Sequence, residues 1–173
     1  MGNRFKVLGF WLLTISIGGL SGCNPFAPAY DKDGLADINL LGDPSTIEGF
    51  FLLFKNAYEL RDTTLYGQLF SQDFTFAYYD FDQGQEISWD RATELNISYN
   101  LFQSVQQINL DWNYFPTPDT TDTEAYVVRN FNLTIQEDEQ TAFVGTGRAK
   151  LRLRRSNPGD AWKAFYWFDD SDF

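Results

Sequence analysis

Residues 45–79 read STIEGFFLLFKNAYELRDTTLYGQLFSQDFTFAYY. This stretch carries two helices and a strand in immediate succession. Ser45-Thr46-Ile47-Glu48 has the spacing of a capping box, with Ser45 as N-cap and Glu48 reaching back to the freed backbone N–H. Ile47, Phe50, Phe51, Phe54 and Tyr58 then return at three- and four-residue steps, the period of a helix with one buried face. Arg61-Asp62 interrupts that pattern, and Asp62 is placed to cap a second, short helix carrying Leu65, Leu69 and Phe70. After Asp73 the spacing changes. Phe74-Thr75-Phe76-Ala77-Tyr78-Tyr79 is aromatic and alternating, which predicts a strand.

Downstream, Asp80 to Glu86 reads as an acidic, glycine-containing loop, with Asp80 and Asp82 in a solvated turn. Ser88 then caps a third helix through about Gln103, with Ala92, Leu95, Tyr99 and Phe102 as its apolar stripe. The remainder is strand-like. Ile108, Leu110, Trp112 and Tyr114 alternate with polar residues, and Pro116 to Asp122 is a turn-rich loop. Long strands follow over Glu124 to Ile135 and Ala142 to Arg155. Asn157-Pro158-Gly159-Asp160 makes a turn before a last strand, Ala161 to Phe168. Three helices with an early strand among them, followed by four strands, define an α+β fold with an antiparallel sheet.

Upstream of residue 44 the chain changes character. Arg4 and Lys6 are the only charges before Asp31, and Val7 to Leu20 is apolar or small. A basic start, a short apolar run and a small-residue end describe a secretory signal over residues 1–22. The run falls short of the about 20 apolar residues that span a bilayer. It closes on Leu20-Ser21-Gly22-Cys23, which resembles the lipobox of bacterial lipoproteins. The resemblance implies cleavage before Cys23 and its acylation, palmitate included, with the lipid bilayer as partner. Acyl chains contribute about 0.8 kcal/mol per buried methylene, so two or more hold a domain at a membrane. Residues 23–43, with Pro25, Pro28 and scattered Asp and Gly, then form a tether to a domain over 44–173. Asn24, where an Asp would signal retention, implies by resemblance to the sorting rule of enteric bacteria a lipid-anchored place in the cell envelope: the outer membrane, facing the periplasm. Sequons at Asn96 and Asn132 carry no expectation in such a chain.

Composition excludes more than it assigns. Loss of the two signal-segment cations takes the net charge from −11 to −13, a surface that repels nucleic acid. Cys23 is the only cysteine, so no intramolecular disulfide can form, and a core rich in Phe, Tyr and Trp must hold the fold. The chain has no histidine. Ser-His-Asp and Cys-His catalysis and His-containing zinc sites are therefore excluded. Gly145-Thr146-Gly147 lacks the further glycine and lysine of a phosphate loop, and Asp31-Lys32-Asp33-Gly34 lacks the remaining ligands of a calcium loop. No metal or cofactor is implied.

The capped first helix, the Arg61-Asp62 link, Asp73-Phe74-Thr75-Phe76, the Trp89 helix start and the closing Trp162-Lys163-Ala164-Phe165-Tyr166-Trp167-Phe168-Asp169 together resemble nuclear transport factor 2-like (SnoaL-like) domains over about residues 44 to 170. The resemblance implies a cystatin-like cone, with three N-terminal helices packed on a strongly curved antiparallel sheet around an internal pocket. It does not deliver a function, since the family spans ketosteroid isomerases, scytalone dehydratases, cyclases and assembly factors. Scytalone dehydratase-like catalysis relies on histidine and is not available here. A ketosteroid isomerase-like site needs an Asp base and a Tyr with a protonated Asp in an apolar pocket; no residue of this chain is carried onto those positions, and no catalytic residue is assigned.

The candidate pocket residues come from alternation and aromatic content. Arg129 falls on the apolar face of its strand with Ala125, Val127, Phe131, Leu133 and Ile135. Such a guanidinium either faces a cavity and binds an acidic ligand, or pairs with a carboxylate at the core edge, or is turned outward by a bulge. Trp89, Tyr99, Trp112 and Tyr126 either line the pocket or fill the core, with Trp162 and Trp167 in the same position. Gly145 and Gly147 either leave pocket space or permit a bend in the sheet. Arg148, Lys150, Arg152 and Arg154 line the opposite face as a basic stripe, solvated or meeting an acidic partner, including a second copy through the sheet. The leading expectation is a membrane-anchored, non-enzymatic domain that binds a small apolar or acidic ligand or another subunit. A small isomerase or hydrolyase using Asp and Tyr is the alternative, and a structural envelope protein with a filled core is a third. The interior separates them: a collapsed core removes both small-molecule readings, and an open pocket with a buried carboxylate and Tyr favours the enzyme.

Overall fold

The computed structural model describes residues 40–113 and 117–171. The signal segment, Cys23, most of the tether, Tyr114 and Pro116 lie outside the described residues. Three helices, α1 (Ile47–Glu59), α2 (Thr63–Gln68) and α3 (Arg91–Ser104), pack on one sheet. Its strands are β1 (Phe70–Asp80), β2 (Gln85–Asp90), β3 (Gln107–Trp112), β4 (Asp119–Thr120), β5 (Glu124–Gln136), β6 (Ala142–Arg154) and β7 (Lys163–Asp169). The strand order is β2-β1-β7-β6-β5-β3, with β4 on β5, and every pairing is antiparallel except β1 with β7. The fold is the curved α+β arrangement that the element order implies.

The first helix starts one residue later than the capping-box reading. Thr46, not Ser45, is the N-cap and accepts from the Gly49 backbone N–H at 2.9 Å. Glu48 does not reach back; its carboxylate turns to Arg129, 2.6 Å away. A charge partner inside the fold outcompetes a neutral backbone N–H already near water. Of the apolar stripe, Phe50, Phe51 and Phe54 are buried, and Ile47 and Tyr58 are half-buried against the core. Gly49 is required where it stands, because a Cβ there would lie 1.8 Å from the Asp43 carbonyl oxygen. Packing starts before residue 44, since Leu41 lies against the core and the Asn56 side-chain amide donates to its carbonyl at 3.0 Å.

Asp62 caps α2 as expected, accepting from the Thr64 and Leu65 N–H groups. Arg61 takes a φ of 56°, the left-handed conformation that turns the chain between the helices. The acidic loop after β1 is shorter than expected. Gln85 onward pairs with β1, Ser88 lies opposite Ala77 in that ladder, and Asp90 caps α3 by accepting from Thr93 N–H at 2.9 Å. Ser88 is held as a strand residue by its register, so the nearer free acid takes the cap.

The β5–β6 ladder carries the core. Ala125, Val127, Arg129 and Phe131 face inward opposite Leu153, Leu151, Ala149 and Gly147. Gly147 leaves no void, because a Cβ there would meet the Phe131 ring at 2.7 Å and the Ser171 Cβ at 2.6 Å. The basic stripe on the outer face lies over the aromatic residues of β7: Lys150 sits 5.3 Å from the Phe168 ring and Arg152 5.9 Å from Tyr166.

Candidate functional site

The interior is not filled. A cavity of about 170 Å³ lies between α1, α3 and the inner face of the sheet. An apolar cavity of about 150 Å³ takes up benzene in an unrelated protein, so this one suits a molecule of about one ring. Its walls are aromatic. Phe54 and Tyr58 come from α1, Phe76 from β1, Trp89 from β2, Trp112 from β3 and Trp167 from β7. The rings lock one another. Trp89 stacks on Phe76 at 4.4 Å, and Trp167 meets Phe76 and Phe54 edge-on at 5.0 and 5.4 Å.

Two carboxylates enter this apolar surround, and their settings differ. Glu94, on α3, is 4 % exposed. It accepts from Tyr66 Oη at 2.6 Å, Ser98 Oγ at 3.1 Å and Trp89 Nε1 at 2.8 Å. A buried carboxylate needs such donors to offset its lost hydration. Asp169, at the end of β7, is the opposite case. Its Oδ1 is buried and has no hydrogen-bond partner. Burial pushes its carboxyl up to about 6; Asp170 and Glu94 add to the rise, and Ser171 opposes it. Trp167, two residues earlier and on the same strand face, is 7 % exposed and presents a buried indole N–H that is also without a partner. An unpaired donor and an unpaired acceptor therefore line one cavity.

Two tyrosines complete the polar edge. Tyr58 lines the cavity with its hydroxyl beside those of Tyr66 and Ser98. Burial first, and the Glu94 charge second, push both phenols above their ordinary range, so both stay protonated as donors. Among the described residues, no group of three or more Cys, Asp or Glu side chains is placed to hold a metal.

Of the residues singled out in the sequence, Trp89, Trp112 and Trp167 line this cavity; Trp162 does not, and is buried under the Arg155 guanidinium, 4.2 Å away. Tyr99 and Tyr126 do not; they are 50 % and 45 % exposed, on the outer sides of α3 and β5. Arg129 is buried, but its guanidinium is paired with Glu48 and stacked 3.8 Å over the Phe51 ring, away from the cavity lining. Cys23 lies outside the described residues. Glu94, Ser98, Tyr58, Tyr66 and Asp169 are not among the pocket candidates that the sequence offers. The signal for Glu94 was its spacing: Glu94, Ser98 and Phe102 stand four apart, and all three are buried. An apolar stripe drawn through Ala92, Leu95, Tyr99 and Phe102 rotates the helix away from that face.

No family model matches the chain, and no curated protein is similar to it in sequence. Solved structures are similar in fold. A candidate scytalone dehydratase from Novosphingobium aromaticivorans superposes with a TM-score of 0.63 at 14 % identity, over 80 % of this chain and 89 % of that one. A nuclear transport factor 2-like superfamily protein from Salmonella enterica gives 0.59 at 14 %, over 79 % and 92 %. A candidate dehydratase of the same family from Streptomyces avermitilis gives 0.58 at 15 %, over 81 % and 99 %. The described part of this chain thus has the nuclear transport factor 2-like fold. At these identities the likeness concerns the fold alone.

Proposed function

We propose that the cavity binds a small, mostly apolar carbonyl compound and that Asp169 moves a proton on it, as an isomerase or hydrolyase does. The observation that carries this reading is the Asp169 carboxyl, whose Oδ1 is buried without a partner in an aromatic cavity and which burial pushes up to about 6. A general base works best when its pKa lies close to the working pH. The Asp169 carboxylate would take a proton from the carbon next to the carbonyl, and the C–H pair would move to the oxygen as the enolate forms. Tyr58 Oη and Trp167 Nε1 are the donors available to that oxygen. The proton then returns from Asp169 to carbon, or to a departing hydroxyl in the hydrolyase case. Glu94 already accepts three hydrogen bonds and is committed to holding Tyr66, Ser98 and Trp89 in place. Among the described residues no Lys or Arg lines the cavity, which favours an apolar ligand over an acidic one. The dehydratase candidates among the similar structures are consistent with this chemistry.

The test uses 1-indanone in D₂O. The protein is expected to bind it, seen as a change in tryptophan fluorescence, and to exchange its α-hydrogens for deuterium faster than buffer does. Binding without exchange would return the domain to a carrier; no binding at all would remove both readings.

The lipobox-like Leu20-Ser21-Gly22-Cys23 supports a second element of the proposal, that the domain works tethered to a bacterial envelope membrane. Mass spectrometry of the chain from a membrane fraction is expected to find Cys23 acylated at a new N-terminus. An intact, unmodified precursor in the cytosol would end that proposal.

A further inference from the structure

Beside the cavity lies an open groove of about 530 Å³ at the β1–β2 hairpin, and Phe76, Trp89 and Asp169 line both. Its remaining lining combines aromatic faces with carboxylates. Tyr78 closes on Trp89 at 5.8 Å, and Phe81 meets Tyr79 edge-on at 5.0 Å. Phe81 is 75 % exposed, a large apolar ring left in water at the groove edge. Asp80 and Asp82 stand with Asp169 in this lining, and no Lys or Arg is present among its described residues. Asp80 is spent on the turn, where it accepts from the Gln83 backbone and side chain, and Asp82 is exposed. The Asp169 Oδ1 adds a buried acceptor with nothing to pair with.

Aromatic faces carry negative potential, and several of them around a site rimmed by carboxylates attract an organic cation. A hydrated metal ion is less suited, because it needs converging oxygen ligands and gains little from ring faces. An anion would meet three carboxylates and no positive charge. We infer that this groove is a subsite for an organic ammonium group, so that the ligand is a small apolar molecule bearing an amine or quaternary ammonium end. The inference rests on the reading that the adjoining cavity takes the ligand's apolar part.

The experiment compares three probes on the full chain by isothermal titration at low and at 0.5 M salt: benzyltrimethylammonium, the neutral analogue 2,2-dimethyl-3-phenylpropan-1-ol, in which carbon replaces nitrogen and one methyl carries a solubilising hydroxyl, and phenylacetate. The cation is expected to bind about tenfold tighter than the neutral analogue at low salt. That preference is expected to shrink at 0.5 M salt, and phenylacetate to bind weakest. Asp82→Asn, which removes an exposed charge, is expected to weaken the cation about two- to threefold and leave the neutral probe unchanged. Equal affinity for cation and neutral analogue overturns the ammonium subsite and leaves the cavity reading in place. Failure of all three probes to bind overturns both.

Discussion

Asp169→Asn is expected to leave a more stable protein that no longer exchanges the α-hydrogens of 1-indanone. The amide has the shape of the carboxyl and none of its charge. The native carboxyl titrates at about 6, above the ordinary 3.8. The sign follows from which state holds the proton more tightly. Below about pH 3.8 the group is protonated in both states and costs nothing. Between 3.8 and 6 the unfolded chain ionises first, which favours unfolding. Above 6 the native state carries the full penalty of an ionised, half-buried carboxylate whose Oδ1 has no partner. The shift corresponds to about 3 kcal/mol if all of it were felt, and to roughly 1–2 kcal/mol once solvent reaching the partly exposed side chain is allowed for. Urea unfolding should therefore show the variant more stable by that amount at pH 8 and equal to the parent near pH 3. Exchange should fall about 10²- to 10⁴-fold, the usual contribution of a positioned base. An Asn variant no more stable than the parent at pH 8 would mean that the carboxyl is well hydrated, and the assignment of Asp169 as base would go with it. Gain of stability at the cost of activity is the mark of a site that selection holds away from its most stable composition.

Glu94→Ala is expected to have the opposite effect, a loss of about 3–5 kcal/mol. Two buried donors, Tyr66 Oη and Ser98 Oγ, and the half-buried Trp89 Nε1 would lose their acceptor together. A domain of this size is stable by about 5–15 kcal/mol, so the variant would sit near its unfolding limit. The companion experiment keeps the outcome readable. Tyr66→Phe removes one donor and should cost about 1 kcal/mol, and the triple change Glu94→Leu, Tyr66→Phe, Ser98→Ala removes the acceptor with its two buried donors, leaves only the half-buried Trp89 Nε1 to find another partner, and should recover part of the loss. Denaturant midpoints measure all three. If Glu94→Ala proved as mild as Tyr66→Phe, the network would be exchanging with water rather than sealed. The Trp89 wall of the cavity would then have no fixed anchor.

Arg129 shows how far a single-strand pattern carries. Alternation along β5 placed it on the inner face, and there it is, opposite Ala149 with its charge against Glu48. What alternation could not supply is the partner, which comes from a helix 81 residues earlier in the chain. The cavity residues were hidden for a related reason. In α3 the buried side chains include Glu94 and Ser98, so the apolar stripe points to the wrong face. Local rules fail at that helix because its inward face serves a polar network.

By itself the sequence determined the two helices between residues 47 and 68, though it ran the second on to Phe70, which the structure gives to β1; it also determined the Asp62 cap, the long β5 and β6 strands, the α+β class and the absence of histidine chemistry. These rest on periodicity, capping and composition, which act over a few residues. The tertiary structure alone decided the parallel seam of β1 with β7, the shift of the caps to Thr46 and Asp90, and the meeting of Glu94 with Asp169 around one cavity. Those depend on which distant surfaces come to exclude water together, and burial is what raises the Asp169 carboxyl and makes the Glu94 donors obligatory.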